Sequence, residues 1–347
     1  MRFFFILVFA FLLISCTQKD PIHNTQSYVF GTLVDITIYG ETEEKSQAVS
    51  DEIVHIFQGL HNRLHAWQPS EITALNQAFA RGKTPVAVQA DIAAMLTDAT
   101  KLSTKSKGAF NPAIGGLISA WGFQKDEFKP TKVDENKIKN LALANPQMTD
   151  IVVENGQVFS TNPAVQLDLG GYAKGYALDV ALVYLRKQGI KNALVNIGGN
   201  IIALGRHGDK PWRVGIQHPR QPSAIATLDL PSGWAIGTSG DYQRYFELDG
   251  KRYCHIIDPA TGYPVQNIQA VTVLIPPQNN AGTLSDVASK PIFIAKSNGR
   301  AEAAKTMHVE NFLVIESENK IQVSPSMAKR LAWLNKDVAK YAVTIQP

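Results

Sequence analysis

Apolar residues at every second position mark the first element of the chain. Val34, Ile36 and Ile38 alternate with other residues and the run closes at Gly40, which predicts a half-buried strand. From Glu43 to Leu64 the period changes, with Ile53, Phe57, Leu60 and Leu64 at helical spacing. Asp91 to Thr104 reads as another helix. Tyr176 to Lys187 reads as a third, with Leu178, Ala181, Leu182 and Leu185 on one face and Gly189 placed to end it. Short apolar runs at Ala193–Ile197, Trp212–Ile216, Val271–Ile275 and Phe312–Ile315 predict strands, and Glu316–Lys320 reads as the loop of a late hairpin. Strands and helices mix without regular βα alternation, so the pattern favours an α+β fold over a doubly wound sheet. There is no internal repeat, and the one weak seam, the polar stretch Lys125–Lys139, reads as an insertion.

The front end departs from this pattern. After Met1-Arg2, residues Phe3 to Ile14 are uninterruptedly apolar, which suits a signal-peptide core and is too short to span a membrane. The run ends at Leu13-Ile14-Ser15-Cys16, which resembles a bacterial lipobox, the site at which a cysteine is diacylated and becomes the new N-terminus. The expected division is therefore a lipoprotein signal peptide at 1–15, lipidated Cys16 and a polar tether at 16–26, and one domain at 27–347. Several acyl chains on one residue give stable anchoring, so the expected place is the periplasmic face of the outer or inner membrane. Composition adds exclusions. Hydrophobic residues make up 45% and charged ones 18%, an ordinary globular balance. A formal charge of +4 without a basic block gives nucleic-acid binding no support. With Cys16 acylated, Cys254 alone remains, so no intrachain disulfide is expected, and a buried structural role suits it better than a nucleophilic one.

The candidate chemistry lies in ordered glycine-bearing segments. Asp168-Leu-Gly-Gly-Tyr-Ala-Lys-Gly-Tyr-Ala-Leu-Asp179 places Gly170 and Gly171 just before a helix and reads as a strand-to-helix turn. Free amides and the positive dipole end of a helix suit phosphate, and Lys174 would add a cation there. Read alone, the fragment is equally a plain tight turn. Asn196-Ile-Gly-Gly-Asn200 is a second such turn, Thr238-Ser-Gly-Asp-Tyr242 a third polar cluster, and His255-Ile-Ile-Asp258-Pro-Ala-Thr-Gly262 adds an imidazole and a carboxylate.

Taken in order, these segments resemble the ApbE family, the FAD:protein FMN transferases. Phe30-Gly31-Thr32, Trp67-Gln-Pro-Ser-Glu71, Gly108-Ala-Phe-Asn-Pro112 and Trp121-Gly-Phe123 fit the same pattern, so the resemblance covers nearly the whole chain after the leader. It implies a two-lobed, T-fold-like α+β domain with mixed or antiparallel sheets flanked by helices. It also implies a phosphotransferase-type enzyme that binds FAD, uses Mg²⁺, moves FMN to a Thr or Ser hydroxyl of an exported or membrane redox protein, and releases AMP. By motif position, Asp168 and Lys174 would contact FAD, with Ala109, Phe110, Asn111 and the backbone of Ile257 lining the dinucleotide. Phe30 and Trp67 would flank the flavin, standing where Met and Tyr are frequent in the family, and Asn111 stands where Asp is common. The carbonyl of Gly171 and the carboxylate of Asp286 would bind the metal, and His255 is the candidate general base or hydrogen-bond donor to phosphate.

The departure from the family pattern is Ser285-Asp286-Val-Ala-Ser289-Lys290-Pro291, where Lys290 stands in place of the usual Thr. A protonated lysine cannot ligate a metal. Asp286, Ser289 and Lys290 would share one helix face, which leaves three roles open. Ser289 supplies the missing oxygen, Lys290 replaces part of the cation's charge and so belongs with His255 in the catalytic group, or Lys290 only pairs with Asp286. Two further functions stay open beside FMN transfer, a pyrophosphatase that gives FMN and AMP and a non-enzymatic flavin-carrying lipoprotein.

Overall fold

The computed structural model describes residues 20–125, 127–130, 132–334 and 341–345. The signal segment and Cys16 lie outside the described residues. Among the described residues, nine strands form the main sheet: β1 (Ile22–Val29), β2 (Thr32–Tyr39), β3 (Ala193–Ile197), β4 (Asn200–Leu204), β5 (Ala235–Gly240), β6 (Ile268–Ile275), β7 (Asn311–Glu316), β8 (Lys320–Val323) and β9 (Ala342–Ile345). They pair in that spatial order, antiparallel throughout except for the parallel pair β8–β9. The expected tether is shorter than the polar residues suggested. Ile22 to Gln26 belong to β1 and pair with β2 from Ile22↔Tyr39 onward. As an edge strand facing solvent, β1 needs little apolar content, which is why its sequence reads as a linker.

Seven helices matter for the site: α1 (Glu43–Leu64), α2 (Glu71–Ala80), α3 (Ala90–Lys105), α4 (Gly115–Ala120), α5 (Glu135–Ala144), α6 (Ala173–Lys187) and α7 (Ala281–Ile294). Thr42 caps α1, and Val49, Ile53, Phe57, Leu60 and Leu64 bury its apolar stripe. The α5 helix begins inside the polar stretch that reads as an insertion and runs five residues past it, turning Ile138 into the core. The main sheet is covered on both faces. On β6, Val271, Val273 and Ile275 join the cluster under α1, α6 and α7, while Ala270 and Leu274 join one shared with the strands Trp212–Gln217 and Ala224–Leu230. Two-sided burial is the reason this strand reads as a continuous apolar run. A third cluster, built from Ile114, Leu117, Trp121, Phe123, Ile138, Phe246 and Ile257, sits beside the first. No helix among the described residues is long and apolar enough to cross a membrane.

Backbone contact locks α7 in place. A Cβ on Gly175 of α6 would stand 2.4 Å from the Gly282 carbonyl oxygen of α7, and one on Gly237 of β5 would stand 2.2 Å from that of Ser285. Only glycine permits these approaches. Asp179 then caps α7 from α6, accepting from Gly282 N–H at 2.7 Å, Thr283 N–H at 2.8 Å and the Thr283 hydroxyl at 2.6 Å. Burial pushes the Asp179 carboxyl up to about 6 despite these bonds. The consequence is a fixed position for Asp286, one turn into α7.

Candidate active site

A cleft of about 870 Å³ opens where the first and third clusters meet, within the size range of cofactor sites. The predicted residues Phe30, Trp67, Ala109, Phe110, Asn111, Asp168, Gly171, Lys174, His255, Ile257, Asp286 and Lys290 all line it. Ser289 does not. Its hydroxyl is buried between the Asp286 carbonyl and Ser239 Oγ, each at 2.7 Å, so the expected shared face with Asp286 and Lys290 divides. At i+3 the Ser289 side chain swings towards β5, whereas Lys290 at i+4 reaches back over Asp286.

One wall is aromatic. Phe30 sits at φ 56° in the β1–β2 turn, a conformation unusual outside glycine, and its ring meets His61 at 5.8 Å. His61 meets His65 at 5.1 Å, and His65 meets Trp67 at 4.4 Å, so the four rings form a continuous edge-to-face series. Burial draws His61 below its ordinary value. The turn before α2 aims Trp67: Ser70 donates to the His65 carbonyl at 2.6 Å and forms a capping box with Thr73. The Arg244 guanidinium lies 5.6 Å from the Trp67 ring and 5.3 Å from that of Phe128.

The floor is cationic. Asp168 is held by Gly170 N–H at 2.9 Å and Gln124 Nε2 at 3.0 Å. No strand precedes this turn; the chain from Thr161 runs irregularly, with one bridge between Gln166 and Ile114. Lys174 donates to the Gly170 carbonyl at 3.2 Å and stands 3.7 Å from Asp286 Oδ2. Lys290 bonds Asp286 Oδ1 and donates to the Asp286 carbonyl at 2.6 Å. Burial alone would raise the Asp286 carboxyl, but the two ammoniums outweigh it and hold the group below the ordinary carboxylate range. Burial draws Lys290 below its usual value, with the Asp286 charge working against that change.

His255 behaves differently from an exposed imidazole. Its Nδ1 lies 3.2 Å from the Arg244 carbonyl, which can only accept, so Nδ1 carries the proton and Nε2 is left as the acceptor. Loss of solvent, then Arg244 and Lys174, push the ring down to about 3 instead of the ordinary 6.5. Asp258 takes no part in this. It accepts from Ala260 N–H at 2.9 Å and shapes the following turn. The Thr238–Gly240 segment also proves to be strand, the end of β5, while Asn196–Asn200 is the β3–β4 hairpin turn with Gly198 and Gly199 at positive φ. Cys254 is buried, and burial pushes its thiol up to about 12.

A family model described as the ApbE family matches residues 30–313, most of the chain. The chain belongs to the ApbE family. A Rhodobacter capsulatus relative named FAD:protein FMN transferase is 38% identical over 315 residues, 91% of this chain and 59% of that protein. The chain thus spans less than two thirds of that relative's length. A Vibrio cholerae protein of the same name is 30% identical, with 79% of this chain and 81% of the relative covered. The crystal structure of the ApbE protein from Thermotoga maritima matches at a TM-score of 0.81 and 26% identity, covering 89% of this chain and 99% of that one. The flavin transferase ApbE from Vibrio cholerae matches at 0.76 and 28%, covering 90% and 99%. The mixed α+β architecture is therefore that of ApbE structures. Within this ApbE cleft, His61, His65, Gln124 and Arg244 escaped the reading of motifs. His61 and His65 stand four apart at the end of α1, a visible one-face pair, and Arg244 follows Tyr242 by two residues.

Proposed function

We propose that this ApbE protein transfers FMN from FAD to a Thr or Ser hydroxyl of an acceptor protein. The observation that carries the reading is one cleft that joins an aromatic wall to a floor bearing two ammoniums, with a neutral imidazole beside it. Phe30 and Trp67 offer faces for an isoalloxazine ring, and Lys174, Lys290 and Arg244 offer charge to a diphosphate. In the reaction, the acceptor oxygen attacks the phosphorus on the riboflavin side, the bond to the AMP phosphate breaks, and AMP leaves. His255 Nε2 takes the hydroxyl proton, and the product is a phosphoester between the acceptor and FMN.

Of the expected divalent cation, the donor set gives a different account. Both Asp286 carboxylate oxygens take protein donors, Ser289 is turned away, and the Lys290 ammonium stands beside Gly171, the remaining expected ligand. Mg²⁺ keeps several waters and binds through one or two carboxylates plus phosphates; with the one expected carboxylate already bonded to an ammonium, these residues as arranged do not fit it, and no step here runs through a metal. For the leader, the lipobox-like Leu13–Cys16 supports export and acyl anchoring at Cys16, with a redox protein at the same membrane as acceptor.

Incubation of the protein with FAD and a domain carrying a candidate acceptor Thr should add the mass of FMN less one water to that domain and release AMP in equal amount. Release of AMP without the adduct would make the protein a pyrophosphatase, and FAD binding without AMP would make it a carrier. In cells, Cys16→Ser should move the protein out of the membrane fraction; retention there would end the anchoring reading.

A further inference from the structure

Resting on the FMN-transfer reading, the floor of the cleft carries a more specific conclusion about how charge is neutralised. The Lys290 side chain fills the space between Gly171 and Asp286: a Cβ on Gly171 would stand 3.2 Å from Lys290 Cε and 3.9 Å from Nζ. Gly175 donates its N–H to Asp286 Oδ2 at 3.1 Å instead of to the carbonyl of Gly171 one turn earlier. Asp286 is thereby committed on both oxygens to protein donors. Lys125, Lys174, Arg244 and Lys290 against Asp168 and Asp286 leave the cleft lining with net positive charge. The Lys174 and Lys290 ammoniums each also have a donor to spare. Of three N–H bonds, Lys290 spends two on Asp286, and Lys174 turns two towards Gly170 and Asp286. The free donors of both belong to residues that line the cleft.

We propose that Lys290, together with Lys174, is a built-in substitute for a divalent cation, so that FAD binding and FMN transfer by this protein proceed without one. A fixed ammonium costs no ion recruitment, and Asp286 holds it in place as a positioning group.

The test compares the purified full-length protein after exhaustive EDTA treatment, its metal content checked by elemental mass spectrometry, with the same protein in millimolar Mg²⁺. FAD affinity, read from quenching of flavin fluorescence, should agree within about twofold between the two conditions, and the FMN-transfer rate should do likewise. Lys290→Met should weaken FAD about tenfold or more in EDTA, with circular dichroism confirming the fold. Lys290→Thr, which exchanges the ammonium for an oxygen, should bind FAD better with Mg²⁺ than without. A loss of about tenfold or more in affinity or rate when the parent is stripped of metal would overturn the inference, whatever the variants do, as would stoichiometric Mg²⁺ surviving EDTA. Such a result leaves the flavin reading standing. Failure of the parent to bind FAD in either condition would sink that reading, and this inference with it.

Discussion

At the scale of single residues, His255 has opposite consequences for folding and for catalysis. The folded ring titrates at about 3 and an unfolded one at 6.5, so between those values the unfolded chain binds the extra proton. Stability therefore falls as pH drops below the upper value, by about 1.4 kcal/mol per pH unit from this group. In urea melts between about pH 6 and about pH 4, His255→Asn should lose stability less steeply than the parent by that slope. An identical slope would mean that the ring is not held neutral. In catalysis, the burial that contributes most to this depression persists, but Arg244 and Lys174, which add to it, are cations a diphosphate would offset, so FAD binding should raise the pKa of His255. The acid limb of kcat is then expected at higher pH than that of kcat/KM, because the first reports the complex and the second the free protein. His255→Asn should also slow transfer about 10²- to 10⁴-fold. Coincident acid limbs would remove the ring from proton transfer.

Among the elements, the site depends on how closely α7 lies against α6 and β5. The Gly282 Cβ position stands 2.6 Å from the Gly175 carbonyl oxygen and 2.8 Å from Asp179 Oδ1, so both backbone and cap resist any side chain there. Gly282→Ala should cost about 1–3 kcal/mol in a denaturant melt and weaken FAD binding by shifting Asp286. Gly31 is the contrasting case: it has φ +70° but nothing within 4 Å of its Cβ, so Gly31→Ala should cost only about 1 kcal/mol of backbone preference. Equal costs would show that close packing does not set the α7 position. This contrast also explains what the sequence disclosed. The α1 helix is legible residue by residue, since one apolar stripe faces one core. The segment Asp168–Asp179 was legible as important but not in its division of labour. Its first half faces the cleft, whereas Gly175 and Asp179 hold α7, a partner more than a hundred residues away. β1 was hidden because a solvated edge strand needs no apolar face. The turn of Ser289 away from Asp286 was hidden because one residue of helical phase decides it, and only the packed neighbour Ser239 sets that phase.

For the molecule as a whole, the cleft joins two hydrophobic clusters, so a ligand that fills it should stabilise the folded chain as one unit. Phe30 and Ile256 reach the cleft from the first cluster, and Ile114, Phe123 and Ile257 reach it from the third. FAD at about 100 times its dissociation constant should add about 2.7 kcal/mol. Spread over the unfolding entropy of a domain this long, that corresponds to a rise of about 4 °C in Tm. The arrangement also predicts an ordering of partial ligands. FMN can use the aromatic wall and one phosphate's share of the floor, whereas AMP must rely on the floor and the flanking Ala109–Asn111 and Ile257 surface. At one common concentration, FAD should therefore raise Tm more than either half, in the absence of any acceptor protein. Scanning calorimetry with the three ligands side by side checks this. If FMN alone matches FAD, the adenosine end is not held, and the in-line departure of AMP loses its structural footing.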